Sequence, residues 1–250
     1  MKRLLLILLL PCMLTGRTQV STLDMVLHYK MYDGWQTYKT GVTKKVFDYS
    51  LANPFPYDGV VAAGVTATFP GYLFDTSEID ASRGVTDNVW DGGGTLSVWL
   101  RPKGRGETGD GRVADKTDDE KYGWRLNCDD DDDNLYFVLI ADVCDGCWKF
   151  PFDILSDKWW HLTFTYNSDD RLNDPVVYVD GRPVAVTNVR RWTTKYDRST
   201  DITCYLIIGD RDASDRAWDG SMDDFRLYTR AVGSAEALSF YEHTRRYYQK

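Results

Sequence analysis

Histidine is scarce in this chain, with 3 residues among 250, and methionine and cysteine follow at 5 each. So few imidazoles leave little of the usual equipment for proton transfer near neutral pH, and acid or base chemistry would fall to carboxylates. Basic charge is also in deficit: 30 Lys and Arg stand against 38 Asp and Glu, a net charge of −8. That balance argues against a general nucleic-acid binder, because phosphate contact needs a basic face. The apolar run at residues 4–10 falls far short of the roughly 20 residues that cross a bilayer as a helix. There is no linker rich in Pro, Gly or Ser and no internal repeat. What is plentiful is aromatic surface, with 10 Phe, 9 Trp and 16 Tyr in a chain that is 43% hydrophobic. This is enough apolar material for one sizeable core, and the balance leans toward binding rather than chemistry.

The N-terminus places Lys2 and Arg3 before the apolar run, then Pro11, Cys12 and Gly16. Residues 1–16 read as a signal peptide, with Gly16 and Thr18 the small residues near an undefined cleavage site; a buried strand is the alternative. The expected location is secreted or cell-surface, Cys12 offering a lipoprotein variant of it. Removal of residues 1–16 would take the charge from −8 to −10. Cys128, Cys144, Cys147 and Cys204 remain, and in an exported chain they are disulfide candidates with three connectivities. Cys144-Asp-Gly-Cys147 also has a zinc-ligand spacing, but no second ligand pair accompanies it.

Strand-like segments dominate, at 25–32, 71–75, 95–101, 122–128, 135–142, 159–167, 176–180, 204–209 and 221–228. Leu162, Phe164 and Tyr166 alternate with His161, Thr163 and Thr165, as in a strand with one face on a core. Asp180-Gly181 between two apolar runs signals a hairpin, and Ser234 caps the one convincing helix. Short strands separated by turns indicate an all-β, two-sheet antiparallel jelly-roll sandwich with a short C-terminal helix, in one domain over 23–247.

Five segments in order carry a resemblance: Thr95-Leu-Ser-Val-Trp-Leu-Arg-Pro102, Lys121-Tyr-Gly-Trp-Arg-Leu126, Asp157-Lys-Trp-Trp-His-Leu-Thr-Phe-Thr-Tyr166, Val176-Val-Tyr-Val-Asp-Gly181, and Leu206-Ile-Ile-Gly209 with Trp218 to Ala231. Together they resemble the laminin-G-like, concanavalin A-like lectin/glucanase superfamily. The resemblance implies a jelly roll, usually an extracellular module for glycans or proteins, often with a structural calcium.

Candidate sites follow. Hydrolytic relatives use several carboxylates on one strand; here Glu78 and Asp80 stand alone, with Ser82 and Arg83 where the acid/base belongs, so no catalytic residue is assigned and the chain is expected not to be an enzyme. The acidic run at 129–133 reads as a solvated hairpin tip. By resemblance, calcium would take Asp48, Asn53 and Asp223, joining the two chain ends. For sugars, Trp35, Trp90, Trp148 and Trp192 lie in loop-like contexts and are the candidate stacking platforms, with a basic-aromatic stretch at 190–198 beside them. The expectation is a secreted lectin-like module that binds carbohydrate. The alternatives are a protein-interaction or adhesion domain and, third, a divergent glycoside hydrolase.

Overall fold

The computed structural model describes residues 24–31, 36–37, 44–50, 58–68, 70–74, 77–81, 84, 86–118, 121–129, 132–140, 145–192 and 200–249. The signal-peptide segment 1–16 lies outside them. In chain order the strands are β1 (Met25–Tyr29), β2 (Gln36–Thr37), β3 (Lys44–Val46), β4 (Gly59–Val61), β5 (Thr66–Ala67), β6 (Tyr72–Phe74), β7 (Ile79–Asp80), β8 (Gly94–Pro102) and β9 (Arg112–Asp118). They continue as β10 (Tyr122–Asp129), β11 (Asp132–Leu139), β12 (Gly146–Pro151), β13 (Trp160–Tyr166), β14 (Val176–Val179), β15 (Arg182–Val184), β16 (Thr187–Arg190), β17 (Ile207–Ile208) and β18 (Gly220–Tyr228), followed by the helix α1 (Ser234–Thr244).

Two antiparallel sheets form. The smaller runs β15-β14-β13-β8-β18-β6-β5, with β1 also on β18, and the larger runs β16-β12-β11-β10-β9-β17-β7-β4-β3-β2. Alternation in the sequence becomes two-sidedness in the sheet, because successive side chains point to opposite faces. From the smaller sheet Leu96, Val98, Leu162, Phe164, Tyr166, Phe225 and Leu227 enter the shared core; from the larger, Trp124, Leu126, Leu135, Phe137, Trp148 and Phe150 meet them. The Asp180-Gly181 hairpin forms as expected, with φ of 50° and 71° at the two residues, the backbone of a two-residue turn that matches strand twist.

Strands β9 and β12 were not expected, for different reasons. β9 carries Arg112, Asp115 and Lys116, charged residues that are all buried, so its composition hides its role. Lys116 is neutralised where it lies: its ammonium donates to Asp87 Oδ1 at 2.9 Å, Asp201 O at 3.0 Å and Cys204 O at 2.9 Å. β12 begins at Gly146 and ends at Pro151, residues that break a strand pattern and disguised Trp148 as a loop residue.

Helix α1 begins at Ser234, but the cap position is Gly233, and no side chain caps it; Arg230 grips Glu236 of the first turn instead. The helix and the segment after it lie on the outer face of the smaller sheet. There Trp99 stacks on Tyr248 at 4.2 Å and donates from Nε1 to Thr244 Oγ1 at 2.8 Å, while Tyr228 stacks on Phe240. Beneath them, a bulge at Asp224 (φ 52°) lets Asp223 and Asp224 both sit among buried polar groups. The smaller sheet is thus covered on both faces along this stretch.

Candidate functional site

The outer face of the larger sheet carries polar side chains. Pairing registers join Val60 to Asp80, Asp80 to Ile207, Ile207 to Asp115, Asp115 to Arg125, Arg125 to Val138, Val138 to Cys147, and Cys147 to Arg190. Directly opposed residues share a face, so these eight form one row across seven strand pairings. A neighbouring row runs Arg112, Asn127, Tyr136, Lys149 and Thr187. Between the rows, the segment bearing Thr108 and Asp110, and Arg216, a groove of about 750 Å³ opens, lined also by Asp129 and Val189.

Asp110 is the electrostatic centre of that groove. Its Oδ1 accepts from Arg112 Nη1 at 2.8 Å and Asn127 Nδ2 at 2.7 Å, and its Oδ2 lies 3.4 Å from Arg216 Nε. Arg112 is wholly buried and also faces Asp115 Oδ2 at 3.2 Å, while Asp115 Oδ1 accepts from the Thr117 amide and hydroxyl. Burial raises the Asp115 carboxyl above its ordinary value, with Arg112 and Thr117 opposing. Tyr136 donates to Asp132 Oδ2 at 2.9 Å with Lys149 on the same oxygen at 2.8 Å; burial and then Asp132 push its hydroxyl up to about 12. The groove floor thus combines fixed guanidinium and amide groups with an aromatic edge and the apolar side chains of Val138 and Val189. That mixture of oriented polar groups and apolar wall suits small polar ligands.

The family model of the concanavalin A-like lectin/glucanases superfamily matches residues 76–237. The chain belongs to this superfamily. No curated protein matches it. Among solved structures, the binding domain of Paraclostridial Mosquitocidal Protein 1 is similar over 89% of this chain and 52% of its own, at 15% identity and a TM-score of 0.62. A botulinum neurotoxin type C structure, whose cell entry is described as dependent on two ganglioside molecules, is similar over 89% and 51%, at 13% identity and a TM-score of 0.61. The binding domain of botulinum neurotoxin DC, in complex with rat synaptotagmin II, is similar over 89% and 52%, at 12% identity and a TM-score of 0.59. The chain therefore spans about half the length of these structures, and at such identities the likeness is one of fold. Among the described residues, no helix is long and apolar enough to cross a membrane.

Within this superfamily fold, three of the tryptophans expected to face ligand are core residues. Trp90 meets Trp124, Phe137 and Phe164 edge-on at 5.2, 5.2 and 5.5 Å. Trp148 packs on Phe137 and Tyr166 and donates to Asp174 Oδ1, and Trp192 donates to Tyr166 Oη at 3.2 Å. All three are at most 1% exposed, so no ring face is left for a sugar. Trp35 lies outside the described residues. The stretch at 190–198 contributes Arg190 to the groove, and 193–199 lie outside the description.

Asp48 and Asp223 do not converge as an open oxygen cage. Asp48 accepts from the His28 and Ser50 amides and the Ser50 hydroxyl. Asp223 accepts from the Met31 and Asp224 amides and from Tyr248 Oη at 2.9 Å. Burial, with Asp224 alongside, raises the Asp223 carboxyl to about 7. Asn53 lies outside the described residues, and among those described no three His, Cys, Asp or Glu side chains group as a metal site. The disulfide expectation is corrected for three cysteines: Cys128, Cys147 and Cys204 are buried free thiols. They stand on different strands or loops, Cys128 facing the core and Cys147 the groove, and Cys144 lies outside the description. Asp80 is on the groove-side row, whereas Glu78 accepts from Ser214 Oγ at 3.1 Å and is raised by burial. Asp132 and Asp133 of the acidic run meet Lys149 and Arg105 at a hairpin end.

Asp110, Arg125, Asn127, Tyr136 and Arg216 escaped sequence reasoning. A signal existed for two of them: Arg125 and Asn127 are the polar members of an alternating run whose other members, Trp124, Leu126 and Cys128, are core.

Proposed function

We propose that this chain is a secreted, non-enzymatic binding module that takes a glycan in the groove on the outer face of the larger sheet. The observation that carries the reading is the groove itself: about 750 Å³, framed by Asn127, Arg216 and Tyr136, on the sheet face that α1 does not cover. The superfamily contains lectins, and the ganglioside and synaptotagmin partners of the neurotoxin structures fit a receptor-binding role. Export rests on the N-terminal Lys2, Arg3 and the apolar run after them. Against hydrolysis stands the placement of Asp110 and Asp115 on one buried guanidinium, that of Arg112: only Asp110 of the two lines the groove, so they do not face each other across it as a glycosidase's acid-and-base pair does.

Calcium is left out of the proposed binding chemistry, because Asp48 and Asp223 already face N–H and O–H donors. Titration of EDTA-treated protein with calcium chloride tests this, and saturable heat at micromolar calcium would restore the metal. The function is tested on an oligosaccharide array with wild type, Tyr136→Ala and Leu172→Ala, the last at an exposed residue that does not line the groove. Binding that Tyr136→Ala abolishes and Leu172→Ala spares is expected; absence of binding, or equal binding by all three, refutes the groove reading. Release of reducing sugar from a bound polysaccharide would refute the non-enzymatic part.

A further inference from the structure

Asn127 has an amide whose orientation is decided by its partners. Its Nδ2 donates to Asp110 Oδ1 at 2.7 Å and to the Cys128 carbonyl at 2.5 Å. Both partners only accept, so the NH₂ group must face them and Oδ1 must face away. That Oδ1 is buried and has no hydrogen-bond donor, in a residue 4% exposed that borders the groove. A buried acceptor without a partner destabilises the free protein, and a ligand donor would relieve that cost. Next to it stands a donor: Arg216, whose Nε lies on the other oxygen of Asp110 at 3.4 Å and whose Nη1 donates to Asp215 O at 2.8 Å. One carboxylate thus holds an acceptor and a guanidinium side by side, both on the groove.

We infer that the groove recognises a vicinal diol of a saccharide, one hydroxyl donating to Asn127 Oδ1 and the neighbouring oxygen accepting from the Arg216 guanidinium. The inference rests on the glycan reading and sharpens it. Adjacent ring hydroxyls can present a donor and an acceptor together, the two complements of the side chains that Asp110 holds. A lone anion such as sulfate has no donor for Oδ1, so it satisfies only half of the pair.

The probes are the strongest oligosaccharide from a panel of neutral and sialylated glycans, its monodeoxy congeners and its mono-O-methyl congeners, measured by calorimetry. Wild type is expected to lose at least about tenfold on one monodeoxy congener. Asn127→Ala should lose a similar factor on the parent sugar and be indifferent to that same deoxygenation. Circular dichroism and thermal melts establish that the variant is folded. Where Asn127→Ala does not fold, the cycle is run with Arg216→Met against the neighbouring deoxygenation. Parent affinity unchanged in the folded variant, or a deoxy penalty that persists undiminished, overturns the diol inference while the groove stands. No binding of any panel member by wild type, or binding that Tyr136→Ala spares, overturns the groove reading and the inference with it.

Discussion

Replacing Trp90 separates a core residue from a ligand platform. The ring is fully buried and meets three aromatic neighbours edge-on between 5.2 and 5.5 Å. Truncation to alanine removes all three contacts and leaves a cavity between the sheets, a change that costs about 3–5 kcal/mol. Against a total stability of about 5–15 kcal/mol, that is about a fifth of the fold's stability or more. For a domain of this size each kcal/mol moves Tm by about 2–4 °C, so Trp90→Ala should melt about 6–20 °C lower. Phenylalanine behaves differently. Trp90 Nε1 is buried without an acceptor, so Trp90→Phe loses some packing but also removes a desolvated N–H worth about 1–3 kcal/mol. The two terms offset, and Trp90→Phe should lie within about 1.5 kcal/mol of wild type. Urea unfolding followed by fluorescence and circular dichroism measures both, with the m-value checking that the transition is comparable. A Trp90→Ala protein with the wild-type midpoint but altered sugar binding would refute the reasoning, since only a ring at the surface behaves so.

Lys116→Met should cost about 3–5 kcal/mol by removing the buried cation that faces the Asp87 and Asp201 carboxylates, and adding Asp201→Asn should recover part of it in the same urea assay. Gly123→Ala should lose at least about 2 kcal/mol, because Gly123 has φ +97° and an added Cβ would strike the Lys116 carbonyl; hydrogen exchange should show β9 and β10 opening together. His161 is buried, which lowers its imidazole to about 3, with Asp224 and Arg226 acting in opposite senses and Ser97 Oγ at 3.1 Å. The unfolded chain protonates this residue near pH ~6.5 and the folded one does not, so its contribution to stability falls as pH drops below that value, by up to about 1.4 kcal/mol per unit. His161→Gln should flatten the slope between about pH 6.5 and 4.5, and an imidazole that titrates near its ordinary value by NMR would refute the assignment.

Much of the sandwich could be read from alternation. The run from Trp160 to Tyr166, the Asp180-Gly181 turn and the ordered motifs from Thr95 to Ala231 each became the expected element, because a strand packed on one core has a period of two wherever it pairs. Arg112, Asp115 and Lys116 broke that reading: charged residues look exposed in sequence, and only partners brought from residues 87, 110 and 201 make their burial tolerable. The tryptophans failed for the mirror-image reason. Loop context marks a residue's neighbours along the chain, while burial depends on what lies across the space between sheets.

Sequence by itself determined the class of fold, the superfamily, the net acidity and the abundance of aromatic side chains, since these depend on composition and on local order. Tertiary structure alone decided which aromatics are core, which sheet face the C-terminal helix covers, and that Asp110, Asn127, Tyr136 and Arg216 share one groove. Those residues are separated by up to about a hundred positions, and no local pattern encodes a proximity that exists only once β9, β10 and β11 pair and the segment after β17 folds back onto them.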